Sequence, residues 1–202
     1  MKNSYKILRQ IEANLLIHKD QPYTRDDYFR IHWENPVIGI FGERGVGKTT
    51  LLIQKRKEVS QGFYFSADNA SIKANGLFDF VMFCVQDFNV EIFFIDEIFK
   101  YTNWKQELKN IIDSFPQIRI VFSGSSSMAL YDGVIDLGRR VYDYRVHTLS
   151  FREYLKLKHH IDLPQISLDN LLQHHEKISV EYSIPLRKSY FEEYIQMGAY
   201  PF

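Results

Sequence analysis

Five apolar or small residues in succession, Val37, Ile38, Gly39, Ile40 and Phe41, run directly into Gly42, Glu43, Arg44, Gly45, Val46, Gly47, Lys48 and Thr49. A stretch with helical character follows from Thr50 to about Val59. The loop satisfies G-x-x-x-x-G-K-[ST], a pattern whose meaning depends on a preceding strand and a following helix, and both flanks are present. The chemistry demands this order. Glycines let the backbone curl until successive N–H groups face one set of phosphate oxygens, and the helix N-terminus adds partial positive charge. Lys48 then bridges the terminal phosphates, and the Thr49 hydroxyl suits a magnesium ion. The nucleotide-binding candidates are therefore Gly42, Glu43, Arg44, Gly45, Val46, Gly47, Lys48, Thr49 and Thr50, with Lys48 also a catalytic candidate.

A second site candidate lies downstream. Ile92, Phe93, Phe94 and Ile95 read as a buried strand that ends in two acids, Asp96 and Glu97. The ligand crevice of an open parallel sheet lies at the carboxyl ends of its strands, so Asp96 is placed to face the same magnesium ion as Thr49. Glu97 is then the candidate to orient and deprotonate an attacking water. No Asn-Lys-x-Asp guanine-reading signature occurs, which favours ATP over GTP as substrate.

Further apolar runs at 63–65, 92–95 and 118–122 alternate with segments of helical spacing, Leu77 to Phe88 and Trp104, Leu108, Ile111, Phe115. That alternation predicts an α/β chain with a mostly parallel sheet, and a strand at 63–65 inserted between the two motif strands. Tyr5, Leu8, Ile11 and Leu15 form one stripe of an N-terminal amphipathic helix over the edge of the core, ending near His18. Residues 20–36 read as irregular. After about Tyr142 the pattern turns helical and more polar, with helices expected at 151–160, 169–178 and 185–197. Ser150 and Glu153 form a capping box for the first of them. The chain thus divides into an N-terminal helix and connector over 1–35, a core over 36–148 and a helical region over 149–202.

The quoted residues carry a family likeness. Gly42, Arg44, Gly47, Lys48 and Thr49 are followed by Ile95, Asp96, Glu97 and Ile98, then Trp104. Ser123, Gly124, Ser125 and Ser126 come next, followed by Gly138 and Arg139 and by Leu149 to Tyr154, and the series ends in Tyr194, Gly198, Tyr200 and Pro201. In this order they resemble the ATPase domain of the bacterial and archaeal AAA-type ATP-binding proteins, over about Pro36 to Phe202. Glu43 departs from the proline such proteins often carry. The resemblance implies a three-layer α-β-α P-loop NTPase with a small C-terminal helical region, acting as a Mg-dependent ATPase. It places the 118–122 strand beside the Asp96 strand and offers Ser123 or Ser125 as sensor of the terminal phosphate; the same serines suit a turn that caps the next helix. Arg139 and its neighbour Arg140 become candidate cations for transition-state charge, a surface salt bridge being the other reading. Also implied are C-terminal domains beyond residue 202; a DNA-handling module whose effector domain lies in them is one alternative reading. The other alternative is a slow nucleotide-gated switch.

Composition narrows the rest. Lys plus Arg and Asp plus Glu number 25 each, which removes the strongly basic nucleic-acid binder. Hydrophobic residues at 45%, with 15% aromatic, suffice for a sizeable core. The single cysteine, Cys84, sits in an apolar run, so no disulfide forms within the chain. No secretory signal and no apolar run of about 18 to 20 residues is present, so no membrane contact and a cytoplasmic location are expected. His159, His160, His174 and His175 lack a converging third ligand type, and no G-x-S-x-G elbow occurs. The aromatic ending Tyr200, Pro201, Phe202 is expected to pack against a following domain, a neighbouring chain or the helical region itself. Nothing in the sequence fixes an oligomeric state.

Overall fold

The computed structural model describes residues 1–18, 23–125, 140–183, 187–197 and 199–201, and the chain divides into two compact units, Met1–His147 and Thr148–Phe202. Among the described residues the first unit has five strands: β1 (Val37–Gly42), β2 (Gly62–Ser66), β3 (Ile92–Asp96), β4 (Arg119–Ser125) and β5 (Tyr142–Val146). They lie in the order β2-β3-β4-β1-β5, and every pairing is parallel. Every residue of β1 and β3 is buried, as expected of strands covered on both faces.

Six helices of this unit lie among the described residues: α1 (Lys2–His18), α2 (Asp26–Arg30), α3 (Lys48–Lys57), α4 (Ala70–Asn75), α5 (Leu77–Phe88) and α6 (Trp104–Ser114). Alternation along the strands sorts side chains between two faces. Phe63, Phe65, Phe93, Ile95, Ile120 and Phe122 join one core with Phe80, Val81 and Cys84 of α5 and Leu108 and Ile111 of α6. Burial pushes the Cys84 thiol up to about 12, so it behaves as a small apolar group. Tyr64, Phe94, Asp96, Val121 and Ser123 alternate with those residues and so belong to the opposite face, against which α3 packs. The result is a three-layer α/β P-loop fold.

Two sequence expectations change. The strand lying between the motif strands β1 and β3 is β4, whereas β2 flanks β3 on the outside of the sheet. Order along the chain is not order in space: the connection through α6 returns β4 toward β1 before the sheet grows on its other side. Tyr142–Val146 forms β5, where a polar helical region was expected to begin. Only Val146 in it is buried, and Asp143 and Arg145 interrupt the run, which is the composition of an edge strand and carries no apolar signal.

The other sheet edge is covered by α1. Arg9 donates to the carbonyl of Gly62 (2.9 Å), and the carboxylate of Glu12 accepts the backbone N–H of Tyr64 (2.7 Å). Two side chains thus occupy ladder positions that a further strand would fill.

Gly42 has a steric requirement. A Cβ there would stand 2.4 Å from the carbonyl oxygen of Val146, its register partner in β5. We expect Gly42→Ala to lower stability by about 1–3 kcal/mol in urea unfolding, since backbone rather than a side chain must move. An unchanged midpoint would show that β5 yields freely.

In the second unit, α7 (Phe151–His159) opens with the Ser150–Glu153 capping box, both halves of which form, and closes at His160 in the left-handed region. α8 (Leu168–Ser183) bends at His174, and α9 (Lys188–Met197) packs on α7 through Phe151 with Phe191 and Tyr154 with Tyr194. The Glu193 carboxylate accepts from His159 Nε2 at 3.0 Å, and the imidazole stacks on Tyr190. Among the described residues no group of three His, Cys, Asp or Glu converges as a metal site.

Candidate nucleotide site

The carboxyl end of β1 delivers the glycine loop, and two of its glycines take conformations that other residues rarely adopt. Gly45 has φ of 87° and Gly47 φ of 98°, and Gly47 leads directly into α3. Val46 is fully buried, and its carbonyl accepts from Arg25 Nη1 at 2.6 Å. The same Nη1 donates to the carbonyl of His147 at 2.8 Å, so one buried guanidinium ties the loop to the chain just after β5. Arg25 is a site residue that the sequence did not disclose, because an arginine in an irregular polar segment carries no pattern.

Lys48 folds back over the loop, donating to the carbonyls of Gly42 (2.9 Å) and Glu43 (2.7 Å). Burial draws its ammonium below the usual lysine range, while Glu97 and Asp96 act in the opposite direction. Glu43 and Arg44 are exposed, and Thr50 is half-buried in the first turn of α3.

Asp96, 5% exposed, is the hub. Its Oδ2 accepts from the hydroxyls of Thr49 (2.7 Å) and Tyr64 (2.8 Å). Its Oδ1 accepts from the backbone N–H of Glu97 (3.1 Å) and from the hydroxyl of Ser123. Four donors from four parts of the chain therefore fill the carboxylate's acceptor positions. The strand alternation explains the meeting, since Tyr64, Asp96 and Ser123 share the face on which α3 lies. Burial, with Asp96 and then Glu97 adding to it, drives the Tyr64 hydroxyl well above the ordinary tyrosine range, so it remains a donor.

Glu97 has φ of 53° and ψ of 41°, a left-handed conformation that is uncommon for a side-chain-bearing residue and concentrates at functional sites. Its N–H lies 3.2 Å from Ser123 Oγ as well as on Asp96, and its carboxylate, 39% exposed, stands 3.8 Å from Lys100 Nζ. The 3-10 turn that follows, Ile98–Lys100, lies on β4: a Cβ at Gly124 would meet the ring of Phe99 at 2.2 Å. Gly124 is thus a seat for the turn that presents Glu97.

The two candidate serines differ. Ser123 is fully buried and engaged with Asp96 and the Glu97 N–H, so its hydroxyl acts on the carboxylate rather than facing the crevice. Ser125 closes β4 opposite Gly42 and is half-buried. Arg140 makes an exposed ion pair with Asp113 at 2.7 Å, in line with the surface reading of that residue. Arg139, like Ser126 and Gly138, lies outside the described residues. A hydroxyl and a carboxylate meeting at the phosphate loop form a hard oxygen pair, which suits Mg2+ in preference to softer ions.

A family model described as AAA domain matches residues 34–155. The chain belongs to the AAA domain family. Membership supports a nucleotide-binding, ATPase-type function. This AAA domain is 27% identical over 210 residues to the uncharacterized protein MJ1637 of Methanocaldococcus jannaschii, covering 96% of this chain and 43% of that protein. It therefore spans less than half the length of that relative. Among solved structures it is similar to a chain described under "Structural Basis for Katanin Self-Assembly", with 21% identity, TM-score 0.49 and coverage of 69% of this chain and 52% of the other. It is also similar to PCH-2 of C. elegans, with 16% identity, TM-score 0.43 and coverage of 76% and 44%. Among the described residues no helix is long and apolar enough to cross a membrane.

Proposed function

We propose that this AAA domain binds ATP together with Mg2+ and hydrolyses its β–γ phosphoanhydride. The observation that carries the reading is the 2.7 Å contact between Thr49, the first hydroxyl after the phosphate-loop lysine, and Asp96, the acid at the end of β3. Residues 42–50 cradle the phosphates through backbone N–H groups, and the Lys48 ammonium exchanges its loop carbonyls for phosphate oxygens. Thr49 and Asp96 would hold the magnesium ion, which when bound neutralises charge on the terminal phosphates.

Glu97 orients a water and takes its proton as the water oxygen bonds to the γ-phosphorus. The bond to the β–γ bridging oxygen breaks, and ADP and inorganic phosphate leave. Ser123 acts in this scheme through Asp96, Ser125 is the crevice-side polar candidate, and Arg139 remains the candidate cation for transition-state charge. A cytoplasmic location belongs to the same reading.

Phosphate release from ATP by the full chain, followed across a magnesium titration, tests the proposal. Wild type should show saturable release that needs magnesium. Asp96→Asn should need roughly tenfold more magnesium to reach half-maximal rate, as loss of a charged oxygen ligand implies. Absence of release at any magnesium concentration would overturn the hydrolytic reading.

A further inference from the structure

The hydroxyl of Tyr64 reaches the metal-side acid from a strand that neither sequence motif includes. Tyr64 is 5% exposed, its hydroxyl lies 2.8 Å from Asp96 Oδ2, and that oxygen is the one Thr49 also donates to. The backbone of Tyr64 is fixed independently, since its N–H is held by Glu12 at 2.7 Å and Glu12 in turn accepts from Arg56 of α3 at 2.7 Å. Thr49 and Arg56 sit at opposite ends of α3. One helix is thereby connected to Tyr64 by two routes, through Asp96 at its first turn and through Glu12 at its last.

We infer that Tyr64 is a positioning residue for the metal site, holding the Asp96 carboxylate in the rotamer from which it and Thr49 take a divalent cation. This rests on the assignment of Thr49 and Asp96 as the magnesium oxygens. When Thr49 turns its oxygen toward a cation, Oδ2 keeps Tyr64 as its remaining donor on that side, while Ser123 and the Glu97 N–H hold Oδ1. Removing the Tyr64 hydroxyl takes the last donor from Oδ2, so that the carboxylate is held through Oδ1 alone. Groups that orient a metal ligand from behind typically change metal affinity by about 10–100-fold when lost. Tyr64 touches neither phosphate nor water in this scheme, so its effect is confined to the metal-dependent part of binding.

The experiment is calorimetric titration of ADP into the full chain, with EDTA and with excess magnesium, for wild type, Tyr64→Phe and Asp96→Asn. The magnesium-dependent gain in ADP affinity is the readout, and no turnover is needed. Tyr64→Phe keeps the ring and should leave affinity in EDTA within twofold of wild type, while the magnesium-dependent gain falls by about tenfold. A magnesium concentration series should show the half-saturating concentration rising in the same variant. Equal gains in wild type and Tyr64→Phe would overturn the role of Tyr64, provided Asp96→Asn lowers the gain. If Asp96→Asn leaves the gain intact, the metal assignment itself fails and Tyr64 falls with it. Matched loss of affinity in EDTA and in magnesium would also overturn the inference, because it would mark a general packing defect.

Discussion

Glu97→Gln should bind Mg-ATP as tightly as wild type while turnover falls on the order of a hundredfold or more, about 2.7 kcal/mol of transition-state stabilisation. Glutamine keeps the length and shape of the side chain, and the two contacts that define the local backbone, from the residue 97 N–H to Asp96 and to Ser123, are untouched. The left-handed turn therefore persists. The ion pair with Lys100 is long at 3.8 Å and more than a third exposed, so its loss contributes little. What disappears is the ability to accept a proton from water. Single-turnover phosphate release measured beside ATP affinity separates the two quantities. Release within about threefold of wild type would place the proton acceptor elsewhere.

The largest stability effect is expected at Glu12, far from the phosphate loop. Its carboxylate, in a residue 3% exposed, accepts from Arg56 Nε and the Tyr64 N–H at Oε1 and from Arg9 at Oε2, each at 2.7 Å. Glu12→Ala leaves the guanidinium of Arg56, whose side chain is 11% exposed, buried without its carboxylate, and removes the acceptor of an N–H on the outer strand of the sheet. Breaking a buried pair from one side costs about 3–5 kcal/mol, because the remaining charge has no compensation. Arg9, at 29% side-chain exposure, can rehydrate, which favours the lower part of that range. Urea unfolding of both proteins measures the difference. A loss below about 1 kcal/mol would show that α1 is not an anchor of the sheet edge.

The parts of this molecule that a reader of the sequence can see are those encoded locally. The phosphate loop is a run of neighbours, Asp96 and Glu97 directly follow an apolar run, and the Ser150–Glu153 box spans a single turn. Helix α5 is bounded at Leu77–Phe88 because Gly76, at φ of 85°, precedes it and Asn89 ends it in the left-handed region. Residues whose meaning comes from distant partners stay hidden. Tyr64 within the run Phe63, Tyr64, Phe65 looks like one more core aromatic, and only the outer position of β2 together with the face of α3 gives its hydroxyl Asp96 as a partner. Arg25 and Glu12 acquire their partners across long stretches of chain, and no spacing announces either. The spatial order of strands is hidden for the same reason. Polar edge strand β5 offered no apolar run to read.

Calorimetric titration of Mg-ATP into the full chain and into Lys48→Ala measures whether Lys48 and its loop bind the phosphates of ATP. Lys48 is held in a site that disfavours its charge, so its removal should leave the fold intact, which a thermal unfolding curve of each protein verifies. Wild type should give a saturable one-site isotherm, and Lys48→Ala an affinity at least tenfold weaker, a difference of about 1.4 kcal/mol. Superimposable isotherms from two folded proteins, or no saturable heat from wild type, would mean that this loop does not hold the phosphates of ATP.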